Sequence, residues 1–118
     1  MDDGQATAVL GALAQETRLQ ILRFLVGRGS KGASAGEIGA AVGAASSRAS
    51  FHLSSLSQAG LVSSERKSRC VIYRAELDAL GAVLKHLVQD CCRGDGRLVS
   101  ACAGGQVPPR RTFSFLGD

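Results

Sequence analysis

The chain has 118 residues, of which 45% are apolar and 20% charged, with a formal charge of +4 and an isoelectric point near 9.2. That length supports one domain with one modest core, and no apolar run approaches the roughly 20 residues a membrane-spanning helix needs. The charge suits a nucleic-acid partner but is too mild to require one.

Tryptophan is absent, and the aromatic residues are Phe24, Phe51, Tyr73, Phe113 and Phe115. A core must therefore be assembled from Leu, Val, Ile and Ala, and burial in a dimer would reinforce it. The opening Met1-Asp2-Asp3-Gly4 lacks a basic region followed by an apolar stretch. No signal peptide is read, and a cytoplasmic location is expected, where thiols stay reduced. Four cysteines in that setting point to metal binding or redox sensing rather than to a disulfide framework.

Ala6, Val9, Leu10, Leu13 and Ala14 recur at helical spacing and predict a first helix over 5–14. A second is expected over Thr17 to Gly27, capped by Thr17, with Leu19, Ile21, Leu22, Leu25 and Val26 apolar. Residues 29–32 read as a loop. Ser34-Ala35-Gly36-Glu37 fits a capping box, so a short helix from Ala35 to Val42 should follow, with Gly43 supplying a tight turn. A fourth helix is predicted from Ser46 to Ala59, burying Ala49, Leu53, Leu56 and Ala59 and ending at Gly60. Leu61–Glu65 and Cys70–Arg74 are strand candidates around the basic turn Arg66-Lys67-Ser68-Arg69.

Helical spacing returns from Glu76 to Cys91, with Leu80, Leu84, Leu87 and Val88 as a packing or dimer seam. Beyond Arg93, Gly94, Gly96, Gly104, Gly105, Pro108 and Pro109 break any long helix. The apolar run from Thr112 to Leu116 takes no assignment. The fold class read from this string is mainly α with a small β-hairpin, a winged helix-turn-helix. A DNA-binding and dimerisation domain is expected over 1–92, with a Gly/Pro-rich tail over 93–118.

In such a fold one helix enters the major groove and its partner braces it. Ser46, Ser47, Arg48 and Ser50 place hydroxyls and a guanidinium at the start of the fourth helix, where backbone N–H groups also favour phosphate. Arg66, Lys67 and Arg69 are placed to straddle the adjacent backbone as a wing. The competing reading is a serine-rich surface helix on an unrelated helical domain. His52 is a candidate phosphate contact, with a bracing role favoured over it. Phe51 is expected to be buried or half-buried.

Leu13-Ala14-Gln15-Glu16-Thr17-Arg18-Leu19-Gln20-Ile21-Leu22 resembles the second-helix signature of the ArsR/SmtB family of metal-responsive repressors. Ser50-Phe51-His52-Leu53-Ser54-Ser55-Leu56-Ser57-Gln58-Ala59-Gly60-Leu61-Val62 resembles its recognition-helix signature, and Tyr73-Arg74 closes the second wing strand as in the family. The resemblance covers about residues 6 to 92. It implies a homodimer, joined through the first and last helices, that represses by covering double-stranded operator DNA at an imperfect palindrome.

Cys91, Cys92 and Cys102 are the candidate metal ligands. Soft thiolates select soft ions, and trivalent arsenic takes three sulfurs, whereas zinc or cadmium wants a fourth ligand. His86 is a weak fourth candidate and Cys70 lies on the wing. Adjacent helical residues point about 100° apart, so the pair converges only if the helix frays or ends there. Arg93 and Arg97 are expected to favour thiolates against the helix C-terminus. Each thiolate must lose its proton, so affinity is expected to fall in acid. The pair and a following cysteine resemble the site of the family's arsenite-responsive members, with a longer gap to Cys102. The family's cysteine site at the start of the recognition helix is missing.

That resemblance implies a repressor released by arsenite, with antimonite a further candidate, and with no resident cofactor. A two-thiol methylarsenite sensor, a thiol redox repressor and a cadmium or zinc repressor stay open beside it. An enzyme is disfavoured, because only His52 and His86 are available as bases and no phosphate-cradling glycine loop is present.

Overall fold

The computed structural model describes residues 1–104. The stretch from Thr112 to Leu116 and the two prolines lie outside the described residues. Helix α1 (Asp3–Leu13) begins at a capping box in which Asp2 accepts the Gln5 N–H at 2.7 Å and Gln5 accepts the Asp2 N–H at 2.8 Å. Helix α2 (Glu16–Arg28) starts one residue before Thr17. Its cap is the Gln15 side chain, which accepts the Arg18 N–H at 2.9 Å, so Thr17 sits within the first turn instead. Gly29, at φ 58°, ends it.

Helix α3 (Ala35–Val42) has the expected capping box between Ser34 and Glu37, and Gly43 follows at φ 72°. Helix α4 (Ser46–Gln58) buries Ala49, His52, Leu53 and Leu56, and the chain turns at Gly60. The step from α3 to α4 is close: a Cβ on Gly39 would stand 2.6 Å from the Ala44 carbonyl oxygen. Only a glycine admits that approach.

The wing strands run longer than expected, as β2 (Val62–Lys67) and β3 (Cys70–Ala75). They pair antiparallel from Val62 opposite Ala75 to Lys67 opposite Cys70. The hairpin turn is thus Ser68-Arg69 alone, while Arg66 and Lys67 are strand residues. A two-residue strand β1 (Ala33–Ser34) joins the far side of β3, giving the order β1-β3-β2. That pairing needs Gly32. A Cβ there would meet the Tyr73 carbonyl oxygen at 2.5 Å, and its φ is +64°.

Helix α5 (Leu77–Lys85) does not continue as one α-helix to Cys91. From His86 to Cys91 the backbone widens into a π-helical stretch. The Cys92 N–H reaches the Leu87 carbonyl at 2.9 Å, and positive φ at Arg93 and Gly94 ends the run. Residues read as irregular then form a short helix α6 (Gly96–Cys102), whose Asp95 cap accepts the Arg97 N–H at 2.9 Å.

The chain divides into two compact units between His86 and Leu87, upstream of the boundary expected after Cys92. The core belongs to the first unit. It gathers Ala6, Val9 and Ala12 from α1, Ile21 and Leu25 from α2, Ile38 from α3, Leu53 and Leu56 from α4, and Val83 from α5. Ile21, Leu25, Ile38, Leu53, Leu56, Leu61 and Val83 are fully shielded from water. No helix of the described residues is long and apolar enough to cross a membrane.

Candidate DNA-reading face and thiol pair

The outer face of α4 follows from which residues the core takes. With Ala49, Leu53 and Leu56 inward, helical geometry turns Ser47, Phe51, Ser54 and Gln58 to the opposite side. Ser46, Ser47, Arg48, Ser50 and Ser54 are all exposed. No side chain caps the start of α4, so its first N–H groups remain open to an anion. On the wing, Arg66, Lys67 and Arg69 are exposed. Arg74 holds the wing by donating from Nε to the Ser30 carbonyl at 2.6 Å and from Nη1 to Glu65 at 2.8 Å.

His52 is 6% exposed and therefore unavailable as a general surface contact. Its Nδ1 accepts a bond from Arg18 Nε at 3.0 Å. Burial, followed by the positive charges of Arg18 and Arg48, holds its pKa below the usual histidine value. A neutral ring that accepts at Nδ1 carries its proton at Nε2. The bracing role is the one the geometry serves, through a ring nitrogen that accepts. Arg18 also donates to the Ala12 carbonyl at 3.4 Å, so one guanidinium ties the end of α1 and the middle of α4 to α2.

Phe51 overturns its expectation. It is 63% exposed, because it lies opposite the buried stripe, which its neighbours Ala49, Leu53 and Leu56 occupy. Its ring meets the His52 ring edge-on, with centroids 5.8 Å apart, and lies under the Arg18 guanidinium at 5.7 Å. Sequence reasoning missed Arg18 as a bracing residue. Its partner is 34 positions away, and nothing local marks that contact.

In the second unit, Cys91 and Cys92 are exposed at the end of the π-helical stretch. The two thiols lie within hydrogen-bonding reach. Local desolvation, that bond, the Cys91 charge and the Asp95 carboxylate all push the Cys92 thiol up. The expectation of a favoured thiolate therefore fails at Cys92. Arg97, offered as a stabilising cation, bonds Asp95 instead at 3.4 Å. Cys102 is exposed at the end of α6, and Cys70 is exposed at the hairpin opposite Lys67.

Among the described residues no three His, Cys, Asp or Glu side chains gather to hold an ion. His86 is buried, and its Nε2 bonds Asp3 at 2.8 Å.

Three comparisons bear on this arrangement. A family model described as a helix-turn-helix domain matches residues 13–65, which span α2 to β2. The HTH-type transcriptional regulator YgaV of Escherichia coli K12 is 35% identical over 88 residues, covering 75% of this chain and 87% of that protein. Among solved structures, an ArsR-like transcriptional regulator from Rhodococcus sp. RHA1 is 27% identical with a TM-score of 0.68, covering 87% of this chain and 94% of that one. Mb0332 of Mycobacterium bovis, described as a homodimeric winged helix-turn-helix DNA-binding domain and a possible ArsR-family regulator, is 28% identical with a TM-score of 0.58. It covers 86% of this chain and 93% of that one. Reduced HlyU of Vibrio cholerae is 28% identical with a TM-score of 0.57, covering 75% and 90%.

Proposed function

The chain belongs to the ArsR/SmtB family of winged helix-turn-helix transcriptional regulators, and from that premise we propose a homodimeric repressor that trivalent arsenic releases from operator DNA. The face of α4 and the wing bind the DNA. Homodimerisation is supported by the likeness to Mb0332. Inducer binding occurs at Cys91 and Cys92, with Cys102 completing the set for arsenite.

The observation that carries the inducer reading is the adjacent pair of free, exposed thiols at the end of the π-helical stretch. Two adjacent sulfurs form a ready two-point grip for a soft trivalent centre. A methylated trivalent arsenical is satisfied by the pair alone, its methyl group filling the third position. Arsenite requires Cys102 to join. The donor set is poorer for zinc or cadmium, which take four ligands in a tetrahedron. Occupation of the pair reshapes the helix end and the dimer seam, and so the spacing of the two recognition helices against fixed half-sites.

The test is a gel-shift titration of a duplex selected from a random library. Arsenite, methylarsenite, antimonite, cadmium and zinc are added to the wild type and to Cys91→Ser, Cys92→Ser and Cys102→Ser. The expected result is about 5- to 150-fold weaker DNA binding with a trivalent arsenical. That loss should vanish in Cys91→Ser and in Cys92→Ser. An operator complex that withstands every arsenical in reducing buffer removes the arsenic reading.

A second reading is redox release, by a disulfide between Cys102 and one member of the pair. It is favoured by the exposure of all three thiols and by the likeness to HlyU, solved in a reduced form. Release by peroxide without arsenic, lost in Cys102→Ser, would select it.

A further inference from the structure

Phe51 is the large apolar residue that α4 leaves exposed. It is 63% exposed, at the centre of the outer face, with Ser47, Ser54 and Gln58 one or two turns to either side. Isolated apolar residues at a surface are ordinary. This one is held in place: the Arg18 guanidinium lies over the ring at 5.7 Å, the His52 ring meets it at 60°, and Arg18 and His52 are bonded to each other.

The chemistry of the remaining outer face sharpens the question. Serine hydroxyls both donate and accept, so they meet any base edge or a phosphate without choosing. Ser46, Ser47, Ser50 and Ser54 thus position the helix but discriminate poorly. Arg48 prefers guanine. A phenyl ring has no donor or acceptor and gains nothing from phosphates. The apolar feature a major groove offers such a ring is the thymine C5-methyl group.

Resting on the DNA-binding reading, we propose that Phe51 is a specificity-determining residue that reads a thymine methyl in each half-site. Arg18 and His52 are positioning residues that fix the ring before DNA arrives.

The experiment selects duplexes from a random library with the wild type, Phe51→Leu and Phe51→Ala. The best wild-type duplex is then rebuilt with deoxyuridine for thymidine, one position at a time. Uracil keeps every hydrogen-bonding edge and lacks only the methyl. The wild type is expected to require thymine at one position per half-site and to bind the uracil duplex about fourfold more weakly for each methyl lost, the increment of one buried carbon. Phe51→Leu keeps that preference. Phe51→Ala selects any base there and binds thymine and uracil duplexes equally.

Circular dichroism and sedimentation of Phe51→Ala show whether folding and dimerisation are retained. A thymine-to-uracil difference that persists undiminished in Phe51→Ala overturns the proposal, as does a Phe51→Ala protein whose sole change is weaker self-association. If the wild type enriches no sequence at all, the DNA-binding reading falls and takes this inference with it. Loss of thymine preference alone, with DNA binding intact, is the supporting signature.

Discussion

His52 owes its role to a contact, not to its position on the helix. Its depressed pKa has a definite consequence for stability. Below about pH 6.5 the unfolded ring takes up a proton that the folded ring resists. The stabilisation is therefore complete above that pH and declines on acidification. Urea midpoints measured from pH 7.5 to 5.5 should fall more steeply for the wild type than for His52→Gln, and parallel profiles would contradict the assignment. At the thiol pair, stoichiometry sets the pH dependence. Each As–S bond forms as a protonated thiol and an As–OH group lose water, so no net proton is released while the thiols stay protonated. This revises the expectation of weaker binding in acid. With the Cys92 thiol pushed up, the arsenic bond to Cys92 should depend little on pH from 6 to 7.5, whereas cadmium, which displaces protons, should bind more weakly at the acid end. Isothermal titration at the two pH values separates the two ions. A steep acid loss for arsenite would mean that Cys92 starts as a thiolate.

At the scale of elements, the ends of helices and strands carry much of the specification. The Ser34–Glu37 capping box sets where α3 begins, and α3 braces α4. Ser34→Ala should cost about 1 kcal/mol and lower the melting temperature by about 4–8 °C. Calorimetry checks this, and an unchanged melting temperature would show that tertiary packing holds α3 without its cap. Two glycines should respond with opposite signs. Gly32→Ala forces a side chain to positive φ and against the Tyr73 carbonyl, so it should destabilise by about 2 kcal/mol or more. Gly27 lies within α2 with open space around it, so Gly27→Ala should stabilise by about 0.5–1 kcal/mol. Denaturant titration of the two variants gives both signs in one experiment.

For the whole molecule, the single chain leaves apolar surface that its own core does not use. Leu10 on α1 is 42% exposed, and Leu77 and Leu84 on α5 are 48% and 47% exposed. These helices are the ones expected to join two copies. Leu84→Glu should shift the protein from dimer to monomer in sedimentation equilibrium and weaken operator binding by at least tenfold, because a monomer engages only one half-site. A stable dimer in that variant would place the interface elsewhere. The exposed pair Cys91–Cys92 stands at the end of the π-helical stretch that follows this helix, so the proposed inducer acts close in sequence to the proposed seam.

The sequence by itself determined what is local. Periodicity located α1 to α4 to within a residue or two. The Ser34 capping box and the turns at Gly43 and Gly60 were legible because each depends on a few neighbouring residues. The serine-rich face, the basic wing and the adjacent thiols were legible for the same reason. Tertiary structure decided the rest. The third strand exists because Gly32 lets Ala33 approach Tyr73, a pairing across forty residues that no local pattern announces. His52 became a brace and Phe51 an exposed ring because packing chose which stripe of α4 to bury, and because Arg18 arrives from another helix. Cys91 and Cys92 are neighbours in the chain, yet no three ligand side chains gather among the described residues. Convergence of side chains is a property of the folded path, whereas spacing along a chain sets only how far a residue can reach.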